Sequence, residues 1–442
     1  MANDCWVTTT LDKEVDLLTG FPFKSSRYTD ALDGIKLVRG DNVVQGRFRW
    51  QNVKRWPREE ADALGIYQLE VDDVVLAMDR PWIEAGLKYA AVALHDLPAM
   101  LVQRVARLRG GSTLDTGYLR YLLGSPEFTQ HVLAVQTGTA VPHISGQQIK
   151  EFRFRRPSLP LQRRIANILR KLDDKIELNR RMNRTLEKMA EAIFKSWFID
   201  FDPVHAKAEG RDPNLPAEIA GLFPCSFEQS EIGAIPKGWH VKPIGDAVRC
   251  VGGATPSTKN PEFWERGRHP FVTPKDMSSM QSSVILDSER HITDAGVETI
   301  SSKQLPVGTV ILSSRAPIGY LGVTAVPVSV NQGVIAMVCD GNLPSLYVLH
   351  WTAANMDLIK SRAGGTTFAE ISKQNFRPIP VLVPDTPVLE AFITNVAPLH
   401  ERITMNVRQC RCLAGMRDAL LPKLLSGAIK LPEAEKPVEG RP

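Results

Sequence analysis

Thr137-Gly138-Thr139-Ala140-Val141-Pro142-His143-Ile144-Ser145 returns 227 positions later as Gly364-Gly365-Thr366-Thr367-Phe368-Ala369-Glu370-Ile371-Ser372. The same offset then carries Pro157 onto Pro384, Pro160 onto Pro387, Leu172 onto Leu399, Ile176 onto Ile403, Asn179 onto Asn406, Leu186 onto Leu413 and Met189 onto Met416. A register kept over about fifty residues is a duplication. Upstream the copies drift by small insertions: Val74-Val75-Leu76 with Pro81 matches Val310-Ile311-Leu312 with Pro317, and Gln103 matches Gln332. A period this long exceeds the ~20–50 residues of solenoid repeats, so it predicts two similar domains, each with its own core.

The chain has 442 residues, with 43% hydrophobic and 23% charged residues, which suits two or three globular domains. Met1-Ala2-Asn3-Asp4-Cys5-Trp6 has neither the basic leader nor the apolar core of a signal peptide, and no run nears the ~20 apolar residues of a membrane span. The expectation is a cytoplasmic chain without a membrane partner. Its six cysteines (Cys5, Cys225, Cys250, Cys339, Cys410 and Cys412) form no C-x-x-C pair, so reduced thiols and no metal are expected. The net charge of +5 is unevenly spread: Lys150 to Lys195 holds fourteen basic and six acidic side chains. Such a belt suits nucleic acid or an acidic partner, or a solvated helix face.

Residues 1–156 read as short branched-apolar runs bounded by Gly, Asp or Pro, such as Ile35-Lys36-Leu37-Val38 and Met100-Leu101-Val102, with a helical stretch from Gly117 to His131. This is an α+β domain, and residues 238–384 are its second copy. Residues 157–199 carry a heptad seam through Ile165, Leu169, Leu172, Ile176, Asn179, Asn183, Leu186, Ala190, Ile193 and Trp197. Residues 385–431 repeat it as Phe392, Val396, Leu399, Ile403, Asn406, Cys410, Leu413, Arg417, Leu420 and Leu424. A helix from 160 to 198 would be on the order of 58 Å long. Antiparallel packing of the two on each other buries both seams about a pseudo-twofold axis and predicts that Asn179 and Asn406 approach and set the register. Residues 200–237, rich in proline, read as an ordered connector or linker, and 432–442 as a disordered tail.

Catalytic signatures are missing. No G-x-x-x-x-G-K-[ST] loop or dinucleotide turn occurs. Asp79-Arg80-Pro81-Trp82 resembles the D-P-P-W tetrapeptide of adenine methyltransferases, but Arg80 replaces the first proline and the second copy reads Ser314-Arg315-Ala316-Pro317. Asp173-Asp174-Lys175 imitates part of a nuclease motif, yet its place on the heptad helix predicts side chains that diverge into solvent. No catalytic residue is therefore assigned.

What remains is a set of polar and basic residues in matching loops: Lys24, Ser25, Ser26, Arg27, Arg39, Asp41, Arg80, Gln103 and Thr139 in the first copy, and Thr255, Ser257, Thr258, Lys259, Lys275, Asp276, Arg315, Asn331, Gln332 and Thr366 in the second. Arg and Lys contact phosphate or guanine, Asn and Gln pair with adenine, and Ser and Thr do either. These are candidate DNA contacts, each with a plain loop hydrogen bond as its alternative.

Over nearly its whole length the chain resembles the specificity subunit of type I restriction-modification systems. The resemblance rests on Gly20-Phe21-Pro22-Phe23-Lys24-Ser25 and Gly252-Gly253-Ala254-Thr255-Pro256-Ser257 opening the two copies, and on Pro274-Lys275-Asp276, Ser313-Ser314-Arg315-Ala316-Pro317-Ile318-Gly319, Asn331-Gln332-Gly333 and Ile235-Pro236-Lys237-Gly238-Trp239. Leu159-Pro160-Leu161-Gln162 and Phe198-Ile199-Asp200-Phe201-Asp202-Pro203 match its central helical region.

The resemblance implies two target recognition domains, each reading half of a split double-stranded DNA sequence, spaced by the antiparallel helices. It implies no catalysis and no cofactor in this chain. Two modification subunits would carry S-adenosylmethionine and methylate adenine N6, and restriction subunits would use ATP and magnesium. The alternatives are the specificity part of a fused restriction-methylation enzyme and a protein-only scaffold.

Overall fold

The computed structural model describes residues 6–138, 140–365 and 369–431. Contacts divide the chain into two compact units, residues 1–174 with 413–442, and residues 175–412. The division falls inside the two long helices, whereas the sequence suggested boundaries near 156 and 384.

The first unit is built on a five-stranded sheet in the spatial order Val15–Thr19, Val105–Gly110, Val74–Ala77, Tyr89–Ala91, Val43–Phe48. Its neighbours are antiparallel except the last pair, which is parallel. Alternation along the strands feeds two cores. Val74, Leu76, Ala106 and Leu108 pack with Tyr118, Leu119 and Phe128 of the helices, while Val75, Ala77 and Val105 pack with Val38 and Leu101. The latter belong to a three-stranded sheet in which Ile35–Val38 lies parallel to Ala99–Leu101 and antiparallel to Arg55–Trp56.

The helical stretch expected from 117 to 131 is two helices, Thr116–Leu123 and Pro126–Val135. Ser125 caps the second and Pro126, which has no N–H to donate, opens it.

The second unit repeats this plan strand for strand. Its five-stranded order is Arg249–Gly252, Val334–Val338, Val310–Ser313, Leu321–Thr324, Val284–Ile285, again with only the last pair parallel. His269–Val272 lies parallel to Ser329–Val330 and antiparallel to Arg290–Ile292. Backbone bonds fix the equivalence residue by residue. Met78 N donates to Arg104 O at 2.9 Å as Ser314 N does to Gly333 O at 2.9 Å, and Ile144 N donates to Met78 O at 2.9 Å as Ile371 N does to Ser314 O at 3.0 Å.

Gly20 and Gly253 are equivalent too. A Cβ on Gly20 would lie 2.2 Å from Val102 O, and one on Gly253 would lie 1.7 Å from Val330 O, so only glycine lets the chain pass.

Residues 200–237, read as an ordered connector or linker, are folded into the second unit. They form helices Asp202–Ala208 and Ala217–Ala220 and a hairpin of Phe227–Ser230 with Gly233–Pro236. Val204, Phe223 and Ile235, with Trp239 just beyond, are buried in that unit's core beside Trp197 and Phe198. The prolines broke the periodic signal without removing the apolar anchors.

The long helices, Leu159–Phe198 and Thr386–Leu425, are 40 residues each. Within the second unit they run antiparallel: Phe198 and Phe392 rings lie 5.1 Å apart, and Ile176, Ala190, Phe194, Trp197, Val396 and Ile403 are buried. Within the first unit, Ile165 and Leu169 share a core with Leu421 and Leu424.

The expected approach of Asn179 to Asn406 is shifted by one turn. Asn406 Nδ2 donates to Asn183 Oδ1 at 2.8 Å, and Asn179 Nδ2 donates to Gln409 Oε1 at 2.8 Å. Residues advancing on one helix meet residues receding on the other, so Asn406 faces the asparagine four positions past Asn179.

Asp173 does not diverge into solvent as its heptad position suggested. Arg120 donates to it at 3.0 Å, Tyr121 Oη at 2.9 Å and Arg417 Nη1 at 2.9 Å, so it neutralises the arginine that sits in the second seam.

Among the described residues no helix is long and apolar enough to cross a membrane, and no group of three or more His, Cys, Asp or Glu could hold a metal ion. The described cysteines are free thiols, and Cys410 donates to Ile176 O while Cys412 is exposed.

Candidate nucleic-acid interface

In the first unit, strand ends and turns converge on an open cleft of about 920 Å³. Strand Ile35–Val38 runs into a turn closed by buried Asn42, whose Oδ1 accepts from Arg39 N at 3.1 Å and whose Nδ2 donates to Arg49 O at 3.1 Å. That clamp presents Arg39 and Asp41, which pair at 3.6 Å.

Arg80 sits at φ 44°, held by its N–H to Pro142 O at 2.6 Å. Gln103 and Arg104 form the tip between Ala99–Leu101 and Val105–Gly110. Arg39, Lys54, Arg80, Lys88 and Arg104 face Asp30, Asp41 and Asp79 across the cleft, an excess of cations. Burial holds the Lys88 ammonium below the usual lysine range, Arg80 and Arg49 push the same way, and Asp41 and Asp79 oppose them.

Of the candidates read from sequence, Ser25, Arg39, Asp41, Arg80 and Gln103 line this cleft. Lys24 and Ser26 are exposed on the adjoining 3-10 turn Ser25–Arg27. Arg27 is engaged elsewhere, in an ion pair with Glu60 and over the Trp56 ring at 5.1 Å. Thr139 and Thr366 lie outside the described residues.

In the second unit, Thr255 Oγ1 donates to Gln332 Oε1 at 2.7 Å, and Asn331 Oδ1 accepts from Gly333 N at 3.0 Å. A Cβ on Gly333 would come within 3.3 Å of Arg315 Nε, so Arg315 lies against the same tip. Thr255, Arg315, Asn331 and Gln332 are thus brought together.

Ser257, Thr258 and Lys259 are exposed on a separate turn, tied by Trp264 Nε1 to Ser257 O at 3.0 Å. Lys275 pairs with Glu289 at 3.1 Å. Asp276 is a cap rather than a free acceptor: Oδ2 takes Thr273 N at 2.9 Å and Oδ1 takes Glu289 N at 2.7 Å. It occupies the place of Asn42, so the sequence pairing of Arg39 and Asp41 with Lys275 and Asp276 is off by one or two positions.

The sequence reading missed Lys54, Lys88 and Arg104. Nothing local marks Lys54 or Lys88. Arg104 follows a residue already singled out, and the shared tip could have pointed to it.

Asp79-Arg80-Pro81-Trp82 is not arranged as a base-holding tetrapeptide. Asp79 is bound by Arg104 and His143, Pro81 is buried, and Trp82 starts a small hairpin with Gly86–Leu87.

The family described as type I restriction modification DNA specificity domain matches residues 65–188 and 236–388, one match in each copy and together more than half of the sequence. The chain belongs to this family. As a type I specificity subunit it is 28% identical over 356 residues to the type I restriction enzyme HindI specificity subunit of Haemophilus influenzae, covering 71% of this chain and 77% of that one. The MjaIX specificity subunit of Methanocaldococcus jannaschii is 28% identical over 355 residues, 79% of this chain and 77% of the relative. The crystal structure of a type I restriction-modification S subunit from M. genitalium aligns with a TM-score of 0.53 at 17% identity, over 96% of this chain and 97% of that one, a likeness of fold. Both family matches in this specificity subunit take in the central strand, Val74–Ala77 or Val310–Ser313, whose end borders the tip described above.

Proposed function

We propose that this specificity subunit reads a bipartite DNA sequence, one half with each unit, and itself performs no chemistry. The observation that carries the reading is one scaffold bearing two different sets of polar side chains. Strand order and backbone bonds repeat, yet where the first unit has Arg39, Arg80 and Arg104 the second has Thr273, Ala316 and Gly333. A duplicated frame with divergent base-edge chemistry suits two half-sites of different sequence. The cationic cleft supplies phosphate attraction.

The paired helices would set the spacing of the half-sites, which on one side of B-DNA recur every ~34–36 Å. They would also dock two modification subunits, which carry S-adenosylmethionine for adenine N6 methylation, with restriction subunits using ATP and magnesium joining them. Docking is supported by the apolar side chains most exposed on the long helices: Leu178, Met189, Met405 and Met416, at 46%, 48%, 60% and 49%. They are two pairs 227 residues apart, as two copies of one partner would require.

The test is a domain exchange. Replacing residues 20–139 with those of another family member should change one half of the methylated sequence and leave the other; a change in both halves would refute independent reading. Purified chain that transferred methyl groups unaided would favour a fused enzyme. DNA affinity that did not fall with salt would favour a protein-only scaffold.

A further inference from the structure

We infer that Arg104 and Arg315 are the guanine-reading residues of the two units, Arg104 held at Nη1 by hydrogen bonds to Asp79 and Arg315 paired at Nη1 with Glu370 at 3.6 Å. The inference rests on the DNA-reading function proposed above and names the residues that would carry it.

The backbone equivalence puts Arg104 opposite Gly333, Asp79 opposite Arg315 and His143 opposite Glu370. Isolated bridges confirm the match, Asp79 with His143 in the first unit and Arg315 with Glu370 in the second. Between the copies the cation has moved from the tip to the strand end, and the carboxylate from the strand end to the neighbouring loop. The contacts are not equivalent, since Arg315 with Glu370 matches Asp79 with His143, but the charge pairing recurs. A guanidinium held by a carboxylate stands beside Gln103 in one unit and Gln332 in the other.

A position that drifted freely would lose the pair; a compensated exchange keeps a function rather than a residue.

The way Arg104 is held leaves its Nε–Nη2 edge without a carboxylate, and in Arg315 the same edge lies beside Gly333. Arg104 Nη1 donates to Asp79 Oδ1 at 3.1 Å and Oδ2 at 3.0 Å, and Arg315 Nη1 meets Glu370 Oε2 at 3.6 Å. In both cases the carboxylate takes Nη1, and the Nε–Nη2 edge is the fork that matches O6 and N7 of guanine. Both side chains are solvent-accessible, 63% for Arg104 and 37% for Arg315. Anchoring one end lowers the rotamer entropy lost on binding DNA. Asp79 is itself steadied by His143 Nδ1 at 2.7 Å.

Arg104 also sits at φ 63°, a left-handed backbone that costs a non-glycine residue about 1 kcal/mol or more. The first unit keeps an arginine where the second has glycine.

The test is methylated-adenine mapping in a host without other adenine methylation, using the full chain expressed with its modification subunits. Wild type should give a bipartite motif with guanine in each half. Arg104→Ala and Arg104→Lys should each relax that guanine in one half at least about tenfold, leaving the other half intact, and Arg315→Ala should do the converse. Asp79→Asn, which keeps the shape and removes the charge, should relax the same base as Arg104→Ala.

Arg104 is exposed and Arg315 and Asp79 are half-buried at the surface, so unfolding midpoints should stay close to the wild-type value. A uniform drop in methylation with an unchanged motif would mark phosphate contacts and overturn the inference while the bipartite reading stands. A wild-type half-site without guanine would overturn it for that unit. A wild-type complex with no bipartite motif would instead overturn the DNA-reading function, and this inference with it.

Discussion

Asn406 donates its side-chain amide to Asn183 at 2.8 Å across the long helix pair, with both residues buried. A buried amide pair in an apolar seam stabilises one register, because sliding either helix strands a donor or an acceptor away from water. The duplication makes Asn179, not Asn183, the counterpart of Asn406. Asn183 has Cys410 as its counterpart, and so the amide pair occurs once and Asn179 turns to Gln409.

Replacing one partner should hurt more than replacing both. Asn183→Leu leaves the Asn406 amide buried without its acceptor and should cost ~1–3 kcal/mol in urea unfolding. Asn183→Leu with Asn406→Leu should recover most of that loss. A double variant no more stable than the single would contradict this account.

Asp173 should be more sensitive than either cation it serves. Asp173→Ala leaves Arg120 and Arg417 without their shared carboxylate, and removing one member of such a part-buried group should cost ~1–3 kcal/mol. Arg417→Leu restores the apolar residue that a heptad seam favours and should cost much less. Thermal unfolding of the two variants side by side checks the order.

The fold should weaken in mild acid. Burial pushes the His350 and His400 imidazoles down to about 4 from an ordinary 6.5, and each lies in the second unit's apolar surroundings near Phe392 or its helix. A depressed histidine means that the unfolded chain takes up protons first, so stability present above about 6.5 is lost as pH falls toward 4. The loss should be on the order of a few kcal/mol. Unfolding midpoints between pH 7 and 4 should fall less steeply for a His350→Gln, His400→Gln double variant.

Gly20→Ala and Gly253→Ala should each damage the unit they belong to. The added Cβ would overlap backbone oxygen, so the strand leading to the tip must shift, at a cost of at least ~2 kcal/mol. Urea unfolding should show the loss, and methylation mapping should show it confined to one half of the motif. Wild-type stability in either variant would refute the close approach.

Much of the architecture was legible because it repeats. The 227-residue offset exposed two copies, and heptad spacing exposed both helices, since a seam must return every three or four residues whatever it packs against. Gln103 and Gln332 were matched correctly because each follows a strand of similar sequence. Arg104 and Lys88 escaped notice, as did the partners of Asp79, for the opposite reason: Asp79 meets partners 25 and 64 residues away, and no local pattern announces such a meeting. The anchoring of the proline-rich stretch 200–237 was hidden in the same way, since Val204 and Phe223 share a core with residues that lie far off in the chain.

Apolar periodicity and self-similarity by themselves determined that there are two α+β units and two long helices that bury their seams together. Both properties are local or repetitive, and any fold of this chain must satisfy them. Which asparagine faces which, which arginine leans on which carboxylate, and that Asp276 caps a turn while Arg104 reaches into a cleft were decided only by the tertiary structure. Those outcomes depend on distances of a few ångströms between residues remote in sequence, and small insertions between the copies had erased the register that would have revealed them.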